Sequence, residues 1–417
     1  MAITNTTNFD AALKQIYSSA NLAKTTLSRR PLLAMLPKRS DFGGRNMPIV
    51  NVFGDPQGRS AVFSTAQGNV SEVKVDDFLL TRVSSYSIAQ IGSEVAEASK
   101  GDAMAFLQAL KATIDGAMNA LSNSLETQLF RTGTGALGTI DVDPGGAGAN
   151  IFALTEEESI ASFDVNMVIV FSATDGSAIR TGGGTTRNVT AVNRSNGQVT
   201  VDGAVLGDTT TDGDFVYPEG DAANGGSNVC LSGLSAWVPA TAPSGGESFF
   251  GVDRSVDSRL YGQFTDQSSA DIEDGLITAG SLSARVGGNP NVCFINHVQQ
   301  RSLIQNLHNS QNYQTMNATT HKGLVSDIGF RSVAIQGDTG AINVVAANKC
   351  PSETGFMLEM DKWILATLGE PVKFLNLDGN RILRSATADS VEARLAFRGN
   401  LACKAPIYNV NIQMPAV

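Results

Sequence analysis

The chain has 417 residues, 42% of them hydrophobic and 17% charged, which gives room for two or three modest domains and excludes a disordered polyelectrolyte. Forty-two glycines against 6% aromatic residues point to many turns and extended segments rather than one aromatic-rich enzyme core. The net charge of −10 is uneven: residues 1–45 hold seven bases against Asp10 and Asp41, net +5, while residues 150–250 hold twelve acids against Arg180, Arg187 and Arg194, net −9.

In chain order, Asn8 or Asp10 can cap a short amphipathic helix carrying Leu13, Ile16 and Tyr17, which is expected to end before Pro31. Residues 30–38, RPLLAMLPK, form an apolar tether between two prolines that must dock on a surface. From Phe42 to Gly92 the pattern is extended: Met47, Ile49, Val52 and Phe53 run out, and Phe78, Leu80, Val83, Tyr86 and Ile88 return. A lone two-stranded ribbon buries too little apolar area to stand in water, so this one needs a surface to lie on.

Leu107, Leu110, Ile114, Met118, Leu121, Leu125 and Leu129 recur at spacings of three and four, which predicts a long helix from an Asp102 N-cap to Arg131, with Gly133 as its stop. Residues 133–250 read as all-β, with strands near 167–171, 188–192, 199–201 and 214–217 and a type I′ hairpin signal at Asn196-Gly197. The expectation is an inserted small β-barrel or sandwich facing solvent. Beyond Gly251 the pattern turns mixed: helices at 270–285 and 298–307, strands at 292–295, 333–335, 342–346, 356–359 and 364–368, and closing strands at 393–402 and 408–412.

The chemical inventory is sparse. Gly133, Gly135 and Gly138 match G-x-G-x-x-G, but they follow a helix instead of joining a strand to one, so they read as a helix stop and loop. No phosphate-binding G-x-x-x-x-G-K-S/T segment and no G-x-S-x-G nucleophile elbow occurs. His297, His308 and His321 form no i, i+4 zinc pair. Asp271, Glu273 and Asp274 suit the first turn of a helix, and Glu156–Glu158 and Asp208, Asp212 and Asp214 lack the spacing of a calcium loop. Cys230, Cys293, Cys350 and Cys403 are far apart with no C-x-x-C pair, so buried reduced thiols are expected. No signal peptide pattern opens the sequence and no run approaches the ~18 apolar residues of a membrane span, so the expectation is cytosolic synthesis with no membrane contact. Neither catalysis, nor a cofactor, nor a metal is expected.

The order of basic arm, β-ribbon, long helix and two α/β portions with a β insertion resembles the major capsid proteins of tailed double-stranded DNA bacteriophages with the Hong Kong ninety-seven-type fold. The residues that carry the resemblance are RRPLLAMLPK (29–38) with Phe42-Gly43-Gly44, the 102–131 helix, NPNVCFINHVQQRSLIQNL (289–307) and EARLAFRGNLACKAPIYNVNI (392–412). The resemblance implies an α+β fold with an N-terminal arm (1–41), an extended loop (42–92), a peripheral domain with its spine helix (93–132), the β-rich insertion (133–250), and the remaining peripheral and axial portions (251–417). It further implies a structural protein that assembles through hexamers and pentamers into an icosahedral head around DNA contacted non-specifically, put together in the host cytoplasm. A separate scaffolding protein, a portal and a decoration protein would be its partners. Some members cross-link covalently through a lysine of the extended loop, where this chain has Lys74.

An arm and a ribbon short of their own core should bury apolar side chains on other copies, through head-to-tail contacts that close into rings. Leu32, Leu33 and Met35 of the arm and Phe53, Val62, Phe63, Phe78 and Leu80 of the ribbon are the candidate contacts. Two other readings are an encapsulin-like nanocompartment shell, which shares the fold, and a secreted β-rich adhesin or carbohydrate-active enzyme built on the glycine-rich middle.

Overall fold

A computed structural model describes residues 30–416, apart from 93–102, 142–149, 174–175, 177, 181–185, 204–211, 224–228, 310–331, 339, 377–378, 381 and 386–388. The expected helix through Leu13, Ile16 and Tyr17, the Asp102 cap, Asp208 and His321 lie outside the described residues.

The longest described helix, Ala103–Phe130, has 28 residues and so extends ~42 Å at 1.5 Å per residue. Ile114, Met118, Leu121, Leu125 and Leu129 are buried along the face that their spacing defines. The helix ends where the Arg131 amide bonds to the Gln128 carbonyl and Gly133 takes φ +99°, a left-handed conformation that costs glycine nothing.

That apolar face shares a core with a sheet centred on the 14-residue strand Ser390–Cys403. Val83–Gly92 runs antiparallel to it from Val83↔Gly399 to Gly92↔Ser390, and Trp363–Thr367, Lys373–Phe374 and Ile382–Arg384 also pair with it. Lys38–Arg39 adds a parallel edge to Trp363–Thr367. The ribbon is therefore shorter than its sequence pattern indicated: Asn46–Gly54 pairs with Lys74–Thr81, and Val83, Tyr86 and Ile88 leave it to join the tail strand. Alternation marks a strand in both cases, but it carries no information about a partner three hundred residues away.

A second six-stranded sheet runs in the order Gln263–Asp266, Val410–Gln413, Thr354–Leu358, Val292–Ile295, Gly340–Ala346, Ser332–Gly337. Helices Ile272–Arg285 and His297–Asn309 accompany it, and Ile272, Leu276, Ala279 and Leu303 share a core with Cys293, Ile295, Val344 and Ile412. Glu273 and Asp274 occupy the first turn of the former helix, where they complement its dipole.

The insertion is a third sheet, ordered Gly138–Thr139, Phe215–Pro218, Val168–Ser172, Arg187–Asn193, Gln198–Val201, Ile151–Ala153. It closes on itself: Ile140 bridges Leu154, and the Thr155 and Asp141 amides donate to the Thr139 and Ala153 carbonyls at 2.9 and 3.0 Å. This contact joins the first and last strands into a small barrel, filled by Phe152, Phe163, Phe171, Ile169, Val199 and Val216. Phe152 meets Phe163 and Phe171 edge to face at 6.3 and 5.6 Å. Two details differ from the sequence reading. Asn193 pairs with Gln198, so the loop at Asn196-Gly197 has four residues instead of two. The closed sheet also ends at Pro218, and Leu231, Leu234, Trp237, Val238 and Val252 belong to the main core, with the Trp237 indole donating to the Leu401 carbonyl at 3.1 Å.

Candidate assembly surface

The ribbon has two faces because side chains alternate along each strand and paired residues share a side. Met47↔Leu80 and Ile49↔Phe78 point inward, and all four are buried. Phe78 lies 5.1 Å from Trp237 and 6.3 Å from Phe249, edge to face in both cases. The Leu79 amide donates to the Phe250 carbonyl at 2.8 Å, and Arg259 donates to the Phe53 carbonyl at 2.5 Å. At its root, Arg82 donates to the Phe42 carbonyl at 2.9 Å and stacks over the Phe42 ring. The base of the ribbon is thus pinned to the chain's own body.

The opposite face is open. Its cross-strand pairs are Pro48↔Leu79, Val50↔Asp77 and Val52↔Val75, with Val50 62% and Val52 57% exposed. Beyond them, the short helix Phe63–Gly68 buries no side chain, and Phe63 is 82% and Val70 72% exposed. Of sixteen large exposed apolar side chains among the described residues, ten lie between Val50 and Ile88, so this exposure is concentrated rather than scattered. A concentrated exposed apolar patch marks a surface that another molecule covers. Residues 55–77 add Asp55, Glu72, Asp76 and Asp77 against Arg59 and Lys74, so the apolar face has an acidic rim.

The eight candidate contacts separate into three groups. Leu32, Leu33 and Met35 are buried in the main core, so their assignment to a neighbouring copy is corrected: Pro31–Met35 is a short helix, with Pro31 at its first position, that docks on the chain's own long helix. Phe78 and Leu80 are corrected likewise, because both are fully buried on the inward face. Phe53 is half-buried against the core, and Val62 and Phe63 remain open to solvent. The sequence reading missed Val50, Val75 and Leu79, which the ribbon's phase would have revealed once its register was known. It also missed Glu126, buried among helix leucines, whose carboxylate accepts the Leu32 and Leu33 amides at 3.2 and 3.0 Å and so satisfies the arm helix's free N–H groups.

Other chemistry is thin. No group of three His, Cys, Asp or Glu able to hold a metal occurs among the described residues, and no helix there is long and apolar enough to cross a membrane. Asp214 meets Arg180 through two hydrogen bonds at 2.9 and 3.0 Å, a pair that ties the barrel's Phe215–Pro218 strand to the loop after Val168–Ser172.

Residues 217–381 match the family model described as the SU10 major capsid protein. No curated protein sequence matches the chain. Among solved structures, the capsid asymmetric unit of cyanophage A-1(L) is similar with a TM-score of 0.53 at 11% identity, covering 92% of each chain. A chain of Mycobacterium phage Ogopogo aligns with a TM-score of 0.43 at 9% identity over 92% of each chain. The holo-SrpI encapsulin complex of Synechococcus elongatus aligns with a TM-score of 0.43 at 8% identity over 99% of this chain and 96% of that one. Over residues 217–381 the chain is thus similar to a major capsid protein family, and its α+β fold is similar to that of the cyanophage capsid chain.

Proposed function

We propose that the chain assembles through hexamers and pentamers into an icosahedral phage head that encloses double-stranded DNA, with a structural rather than a catalytic role. The observation that carries this reading is the two-sided ribbon: one face is fixed to its own body, and the other presents Val50, Val52, Val75 and Leu79 outward with Phe63 at the tip. A surface of this kind meets a different surface on the next copy, and such head-to-tail contacts close into rings. Each apolar side chain covered adds ~1.5–3 kcal/mol, which multiplies over the copies of a shell.

In this reading Val62 and Phe63 are neighbour-facing contacts, and the first partner is the chain itself. A scaffolding protein, a portal, possible decoration of the outer surface and DNA contacted non-specifically follow from the head-shell role, with assembly in the host cytoplasm before the virion is complete.

Replacing residues 57–73 by a two-residue turn removes the tip and leaves Met47, Ile49, Phe78 and Leu80 in place. The expected product is folded and soluble and forms no shells when co-expressed with its head genes, as seen by electron microscopy. Closed particles from this variant would refute the role of the ribbon. Particles of the intact protein purified free of DNA, with protein cargo inside, would favour a nanocompartment instead.

A further inference from the structure

The ribbon bends at one residue. Val52 pairs with Val75 and Gly54 with Lys74, so Phe53 stands between them as the extra residue of a β-bulge, a feature at which a strand kinks and twists more strongly. Glycine is needed just past it, since a Cβ at Gly54 would fall 2.8 Å from the Cβ of Lys74. From residue 54 to residue 77 no residue is buried, so the tip that carries Val62, Phe63 and Val70 takes its direction from the bulge and not from the core.

Residues 248–260 reach the ribbon at two places. Near the root, the hairpin of Ser248–Phe249 and Val252–Asp253 turns through Phe250 and Gly251, both with positive φ, and the Phe250 carbonyl accepts the Leu79 amide at 2.8 Å. A left-handed conformation is uncommon for a bulky residue, and here the Phe250 ring is held by Phe249 at 4.5 Å and Trp237 at 5.9 Å. Farther out, the Arg259 guanidinium donates to the carbonyl of Phe53, the bulged residue itself, at 2.5 Å. Arg259 has a fixed base: Leu260 beside it is buried in the main core, and the Asp257 carboxylate accepts the Arg259 amide at 2.8 Å and lies 3.9 Å from its Nε.

We propose, on the basis of the shell-forming role above, that Arg259 is a positioning residue for assembly: by fixing the bend at the Phe53 bulge it sets the direction in which the ribbon tip is presented to the next copy.

A bulge interrupts the ladder, so the bend there is soft unless a contact from outside the ribbon holds it. One hydrogen bond from a charged donor at the bend acts on everything farther out, because the tip swings as a lever about that point. The bond at Leu79 does not substitute for it, since Leu79 lies on the root side of the bulge. Copies in a ring repeat one geometry, so a tip that points in several directions meets its neighbour less often and loses more freedom on docking.

Hydrogen–deuterium exchange of the full-length unassembled chain reads the bend with no partner present. In Arg259→Ala, peptides covering residues 50–56 and 73–76 are expected to exchange several-fold faster, while 78–81 keeps its protection and the urea midpoint stays in place, the lost side chain being 56% exposed. Co-expressed with its head genes, this variant should yield few closed shells, and Arg259→Lys, whose ammonium can still donate to the Phe53 carbonyl, should recover them. Unchanged exchange at 50–56 in Arg259→Ala, closed shells from it at the natural yield, or Arg259→Lys no better than Arg259→Ala would each overturn the role of Arg259. A natural chain that forms no shells under the same conditions would instead overturn the shell-forming role itself.

Discussion

Replacing Phe78 by alanine and, separately, Phe63 by alanine distinguishes the two faces of the ribbon, because the same chemical change is made at a fully buried ring and at one 82% exposed. At Phe78 the loss combines transfer of the ring with the cavity left behind, ~3–5 kcal/mol for a core phenylalanine. Two edge-to-face partners, Trp237 at 5.1 Å and Phe249 at 6.3 Å, place it toward the upper end of that range. At Phe63 no packing is lost in the single chain, and a surface change of this sort stays within about 0.5 kcal/mol. Urea unfolding of the unassembled protein, followed by tryptophan fluorescence with Trp237 beside the first site, gives both numbers, and a constant denaturant slope would show that stability alone changed. Assembly is expected to rank the variants differently: Phe63→Ala folds like the natural chain yet yields few shells. The reasoning fails if Phe78→Ala leaves the midpoint where it was, or if Phe63→Ala destabilises the single chain as much as Phe78→Ala does.

Two further outcomes rest on packing alone. A Cβ added at Gly233 would fall 2.3, 2.4 and 2.6 Å from the carbonyl oxygens of Gln128, Leu129 and Arg131, backbone of the long helix's last turn and of the residue just after it, so Gly233→Ala should cost about 3 kcal/mol in urea unfolding. Gly116 of the same helix has nothing within 4 Å of such a Cβ, so Gly116→Ala should instead stabilise by about 0.5–1 kcal/mol. The four cysteines are buried, and burial raises every thiol, Cys403 to about 12, so a thiol-specific reagent at pH 8 should label none in the native chain and all four after unfolding.

What the sequence made legible was local. The leucine spacing through Leu129, the glycine stop after it and the apolar run Val292–Ile295 each depend on residues within one turn or strand of each other, and the structure has them where the pattern puts them. Partner choice was not legible. Nothing near Val83 indicates that its strand continues to a ladder with Gly399, and nothing near Leu32 indicates a carboxylate ninety-four residues later in the chain. Glu126 did leave a trace, a single acid among Leu121, Leu125 and Leu129, but an acid at the border of an apolar stripe is as compatible with solvent as with burial until its donors are known. The same limit explains the misassigned contacts. Leu32, Phe78 and Leu80 are apolar side chains on segments with too little core of their own, and the sequence says that they must be covered without saying by what.

The division of the ribbon follows from that need. A two-stranded sheet has two sides, and a body lying along one side can cover only that side. Here the chain's own core takes the inward row, Met47, Ile49, Phe78 and Leu80, which fixes the ribbon's root and direction before any partner arrives. The outward row is then presented on an already oriented frame, so less ordering remains for association, and part of what a mobile loop would lose in entropy is settled during folding. A ribbon wholly without intramolecular support would search for a neighbour in many directions and a wholly covered one would have no reason to find it; a half-covered ribbon projects its open valines along one direction from every copy. In the proposed shell identical copies would repeat that contact around a ring, and the buried inner row that orients the ribbon would matter to assembly as much as the exposed outer row.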